Sequence, residues 1–96
     1  MYIGVLQIEL LLSDAGSLKD KRRIIRSLIE KIKNKFNAAV AEIGRMDSWN
    51  HSQLGISCLS NEAGHCDSML NSVINFIESN GSYQVIDIQT EIIPYS

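Results

Sequence analysis

A chain of 96 residues, 45% apolar and 21% charged, has the composition of one ordered domain. It is too short for a second core, which could not bury enough apolar surface to offset its own ordering entropy. The net charge of −2 argues against indiscriminate nucleic-acid binding, and the longest apolar runs, such as Leu10 to Leu12, fall far short of the roughly 18 residues of a spanning helix.

From Tyr2 to Leu12 the residues alternate, with Gly4, Leu6, Ile8, Leu10 and Leu12 on one face and Ile3, Val5, Gln7, Glu9 and Leu11 on the other, which predicts a long strand. Ser17 and Asp20 then form an S-x-x-D start signal, and Leu18, Ile25, Leu28, Ile29, Ile32 and Phe36 recur at helical steps. Together they predict a helix to about Lys35 with one apolar stripe. Phe36 to Ile43 and Leu54 to Ser60 read as second and third strands, joined by the polar stretch from Gly44 to Gln53. Asn61 is placed to cap a second helix that carries Cys66, Met69, Leu70, Val73, Ile74 and Ile77 and stops at Asn80 and Gly81. Tyr83 to Ile93 alternates again, with Ile86, Ile88 and Ile92 on one face, and Pro94 ends this last strand.

The order βαββαβ, with one stripe per helix, predicts an α+β ferredoxin-like sandwich: a four-stranded antiparallel sheet with two helices on one face, in a single domain over residues 1–96. Helices on both faces are excluded because Gln7, Glu9, Asp87, Gln89 and Glu91 mark one sheet face as polar. The fold names no function, which must come from the surface.

Charge is segregated along the chain. Between Lys19 and Lys35 eight basic residues meet only Asp20 and Glu30, a net of +6, while elsewhere one basic residue meets nine acidic ones, a net of −8. At about 100° per residue, Lys19, Arg22, Arg23, Arg26 and Lys33 cluster opposite the apolar stripe, a basic ridge that suits a phosphate backbone or an acidic partner as well as a plain solvated face. The sheet's polar face carries no aromatic residue on the first and third strands, so bases are not expected to stack there. Contacts from the ridge would read shape and backbone, with no DNA specificity.

The loop from Gly44 to Gln53 holds Arg45, Asp47, His51 and the single tryptophan, Trp49. Either Trp49 anchors a partner together with Arg45, or it folds back over one end of the small core.

Chemistry-bearing motifs are sparse. Cys58 and Cys66 lie inside apolar periodic segments and read as reduced core thiols. His51 and His65 are too far apart in pattern to share a metal, and no phosphate loop or paired-carboxylate motif occurs, although Asp14, Glu42 and Asp47 are free to converge. No catalytic residue, metal or cofactor is expected, and no enzyme.

The stretches GVLQIELLL, SLKDKR from Ser17 to Arg22, FNAAVAEIG from Phe36 to Gly44, the D-x-W at Asp47 to Trp49 and LGISCLSN from Leu54 to Asn61 resemble the YlxP-like family, a bacterial domain of unknown function. The resemblance covers almost the whole chain. It implies a ferredoxin-like fold and a small cytoplasmic protein, and a link to ribosome maturation through genes that neighbour those of translation initiation and ribosome-binding factor A. The chain departs from the family pattern after Trp49, where Asn50, His51 and Ser52 replace a more usual Gln-Arg-Ala. The reading that results is a cytoplasmic, non-membrane binding protein that presents its first helix to rRNA or to a ribosome-associated protein. The alternative is a structural or regulatory homodimer through Ile3, Val5 and Leu11, with Val85 and Ile93 beside them.

Overall fold

The computed structural model describes residues 1–81 and 83–96. Its elements run β1 (Tyr2–Leu11), α1 (Leu18–Lys35), β2 (Ala39–Gly44), β3 (His51–Ser60), α2 (Ala63–Ser79) and β4 (Gln84–Pro94). The strands form one antiparallel sheet in the order β2-β3-β1-β4, the ferredoxin-like arrangement. Among the described residues no helix is long and apolar enough to cross a membrane.

Strand alternation builds the core. Leu6, Ile8 and Leu10 of β1 face the helices and stand opposite Ile56, Leu54 and Ser52 of β3. Ile25, Leu28 and Ile32 of α1, with Cys66, Leu70, Val73 and Ile77 of α2, close over them in one buried cluster. The opposite sheet face is open to solvent, because neither helix reaches it and the odd-numbered residues of β1 and β3 point there.

Several boundaries differ from the sequence reading. Phe36 is the C-cap of α1 rather than the start of a strand: its amide bonds to the Ile32 carbonyl at 2.8 Å, and its ring meets Phe76 edge-on at 5.7 Å. β3 begins three residues before Leu54, which shortens the loop to residues 45–50. Asn61 does not cap α2; Glu62 holds that position and makes no side-chain cap bond.

The pairing of β4 with β1 shifts between Glu9 and Leu10, so that Glu9 opposes Asp87 and Leu10 opposes Val85. Ile86 is the extra residue of this bulge and is exposed, while Val85 packs against the core. Val85 therefore does not lie beside Ile93 on the open face. A one-residue bulge moves every side chain beyond it to the other side of the sheet.

Candidate polyanion-binding surface

Helix α1 starts where its sequence says it should. The Ser17 hydroxyl accepts a hydrogen bond from the Asp20 amide at 3.1 Å, and the Asp20 carboxylate accepts one from the Gly16 amide at 3.3 Å. This reciprocal pair satisfies amides that the helix cannot bond internally and fixes the direction in which α1 leaves the sheet. With the stripe of Ile25, Leu28 and Ile32 buried, the 3.6-residue repeat puts Lys19, Arg22, Arg23, Arg26 and Lys33 in solvent.

Four of these cations converge. Lys19, Arg22, Arg23 and Arg26, with Asp20, line a surface hollow of about 350 Å³. Lys33 stands apart, about 10 Å farther along the helix axis than Arg26. Among the described residues, Arg23 alone of the five is ion-paired, to Asp20 at 3.4 Å and in solvent, a contact worth little.

A second hollow of about 320 Å³ shares Arg23 and is lined as well by Ser27, Lys31, Asn80 and Tyr83 over a floor of Ile24 and Leu28. Arg23, Ser27 and Lys31 recur every four residues and so face the same flank of α1. Lys31 is a cation that the ridge drawn from the sequence leaves out. Burial pushes the Tyr83 phenol up to about 12, so it stays neutral and available as a donor at ordinary pH.

Lys21 belongs to the same charged run but turns inward. It is fully buried, and its ammonium lies 2.8 Å from Glu42 Oε2 while donating to the Arg45 carbonyl at 2.7 Å and the Met46 carbonyl at 3.5 Å. Three donors thus meet three acceptors. Ser52, also fully buried, donates to the same Glu42 oxygen at 2.7 Å. Glu42 is engaged by these two residues, so it does not pool its charge with Asp14 and Asp47. Lys21 sits on the stripe Leu18, Lys21, Ile25, Leu28, Ile32, and that spacing was the available signal for its burial.

The Lys21 ammonium holds the β2–β3 loop against the first turns of α1. Arg45 adopts φ 62, a left-handed conformation that costs a side-chain-bearing residue about 1–2 kcal/mol. Its carbonyl is bonded both by Lys21 and by the Ser48 amide at 3.0 Å. Its guanidinium lies 3.6 Å from Glu9, which eases the like-charge pairing of Glu9 with Asp87 across the sheet. Trp49 is 51% exposed. It does not cover the core, and the question left by the sequence is answered in favour of the surface.

The two histidines stay apart, while Cys58 and His65 line one hollow between β3 and α2. His51 opens β3 and His65 lies beyond its other end, roughly 30 Å away at strand rise. Cys58 and Cys66 are buried free thiols; burial, with Cys66 beside it, pushes the Cys58 thiol up and makes it a poor nucleophile.

The chain is 36% identical over 77 residues to the uncharacterized protein YlxP of Bacillus subtilis (strain 168), a match that covers 80% of this chain and 84% of that one. Residues 3–90 match the family described as "Protein of unknown function (DUF503)". The chain therefore belongs to the DUF503 family, whose members include YlxP-like proteins.

Proposed function

We propose that this protein is a non-enzymatic cytoplasmic binding protein that uses the solvent face of α1 to hold RNA, or an RNA-rich surface such as that of the ribosome. One observation carries the reading: Lys19, Arg22, Arg23 and Arg26 surround a single hollow with only one carboxylate among them. The net charge of the rest of the chain has the opposite sign. Like charges gathered in a concavity repel one another, and a polyanion laid across them relieves that repulsion while releasing its own counterions. The segregated negative charge elsewhere orients the protein, so that only this face approaches the polyanion. The neighbourhood implied by the family resemblance, near genes of translation, points the same way.

The test is the salt dependence of binding to a labelled ribosomal RNA fragment. Four or five phosphate contacts on single-stranded RNA give log K a slope of roughly −3 against log salt. Each cation of the hollow reversed to Glu should flatten that slope by about 0.7. Binding without salt dependence, or no binding at low salt, contradicts the reading.

A homodimer through the open sheet face is the second reading. It is favoured by the direct pairing of Ile3 with Ile93 on that face and by a shallow apolar depression lined by Val5, Ala39, Ala41, Ile43 and Gly55. Under this reading Val5→Lys yields monomers by light scattering, and charge reversals on α1 leave function intact.

A further inference from the structure

We propose that Trp49 is a stacking platform for an unpaired RNA base at the same end of the molecule as the cationic hollow of α1, so that the ligand is single-stranded rather than duplex RNA; this rests on the reading of α1 as a polyanion-binding surface.

The loop is a rigid mount that leaves its one large aromatic in water. On one side of Trp49, the Ser48 amide bonds to the Arg45 carbonyl at 3.0 Å. On the other, the Asn50 carbonyl accepts from the Leu12 amide at 2.7 Å. The His51 amide donates to the Ser48 hydroxyl at 3.1 Å, and the His51 ring meets the Asn50 side-chain oxygen at 3.0 Å. A backbone fixed at so many points has lost its conformational entropy on folding, so a ligand that stacks on the indole pays little further ordering cost.

The mount is fastened to the basic helix. Lys21 lies one residue before Arg22, and its ammonium bonds to the carbonyls of Arg45 and Met46. The loop is thus bonded to the inward side of the same turn of α1 whose solvent side supplies Lys19, Arg22 and Arg23 to the hollow. The aromatic and the cations are held at the same end of the molecule, while Lys33 and Lys35 lie at the far end of α1.

The surroundings of the indole favour a nucleic acid over an apolar protein surface. Within residues 45–50 its neighbours are Arg45, Asp47, Ser48 and Asn50, with Met46 the one other apolar side chain. A protein hot spot is a desolvated pocket walled by a ring of packed neighbours, whereas base stacking needs only an open π-face beside positive charge. The sheet, which lacks aromatics on β1 and β3 apart from Tyr2, does not compete for this role. A duplex offers no free base face to the loop, so stacking discriminates for single strands without reading sequence.

The experiment compares wild type, Trp49→Ala, Trp49→Phe and the triple variant Arg22→Glu, Arg23→Glu, Arg26→Glu, each checked for fold by circular dichroism. They are titrated with labelled oligoadenylate and with a labelled RNA duplex, and the emission of the single tryptophan is followed in parallel. The proposal expects indole quenching by oligoadenylate and an affinity loss on the order of tenfold in Trp49→Ala. It also expects near-wild-type affinity in Trp49→Phe and no effect of Trp49→Ala on duplex binding. Oligoadenylate binding that the triple variant loses but Trp49→Ala keeps, with unquenched emission, overturns the stacking role and leaves the α1 reading standing. Failure of the wild type to bind either RNA at low salt removes both. Trp49→Ala breaking a defined protein complex while RNA binding stays unchanged also overturns the proposal, in favour of a protein partner.

Discussion

Lys21 Nζ and Glu42 Oε2 stand 2.8 Å apart beneath the β2–β3 loop, the lysine side chain wholly shielded from solvent and the glutamate one-fifth exposed. The pair links the first turns of α1 to β2, and through the Arg45 and Met46 carbonyls it sets the position of the loop.

Removing one partner of this pair strands the other. Lys21→Met should cost roughly 3 kcal/mol, the low end for a broken buried ion pair because Glu42 keeps some contact with water. Urea denaturation of Lys21→Met, Glu42→Leu and the double variant checks this. The double variant is expected to be more stable than the sum of the two losses predicts, since neither charge is left alone.

Gly4 makes room for the two thiols. A Cβ at this position would lie 2.9 Å from Cys58 Sγ, 3.2 Å from Cys66 Cβ and 3.3 Å from a Leu70 methyl. Gly4→Ala is expected to destabilise the protein by about 1–3 kcal/mol through overpacking. Adding Cys58→Ala should recover part of that loss, because the nearest of the three clashes is with its sulfur; a double-mutant cycle measures the recovery.

Alkaline pH should weaken the fold. Burial lifts the Tyr83 phenol from its ordinary value of 10.0 to about 12, so the folded state holds its proton longer than the unfolded one. The associated stability is fully present below pH 10 and is lost as pH rises from 10 to about 12. Cys58, also raised from 9.0, adds in the same direction. Thermal midpoints across this window should fall in wild type and fall less in Tyr83→Phe.

Arg45 holds a left-handed backbone that glycine adopts freely. Arg45→Gly relieves that strain but removes the guanidinium that offsets the Glu9–Asp87 pairing, so its stability should stay within about 1 kcal/mol of wild type. Chemical denaturation checks the stability. If RNA affinity falls in the same variant, the strain is maintained for binding.

The parts of this fold that repeat were readable in the sequence. The β1 alternation and the two helix stripes each rest on five or more apolar positions in register, and Ser17 with Asp20 marks the start of α1 by local hydrogen bonding alone. What was not readable depends on contacts distant in sequence. Lys21 lies on the apolar stripe, yet only the presence of Glu42, 21 positions later, makes its burial affordable. The start of β3 at His51 is hidden because His51, Ser52 and Gln53 are polar and gain their strand character from pairing with β1. The bulge at Ile86 has no local signature, so Val85 was assigned to the wrong side. Of the site, the cations of α1 were legible from spacing. The exposure of Trp49 was not, because a lone aromatic in a polar loop has no periodicity to report which way it faces.

The measurement closest to the central claim is co-sedimentation with ribosomes and RNA from cell extract at low and high salt. It compares wild type with a folded Arg22→Glu, Arg23→Glu, Arg26→Glu variant. Binding through α1 puts wild-type protein in the pellet at low salt, releases it at high salt, and leaves the variant in the supernatant throughout. A folded wild type that stays in the supernatant at low salt, or a variant that pellets equally well, would contradict it.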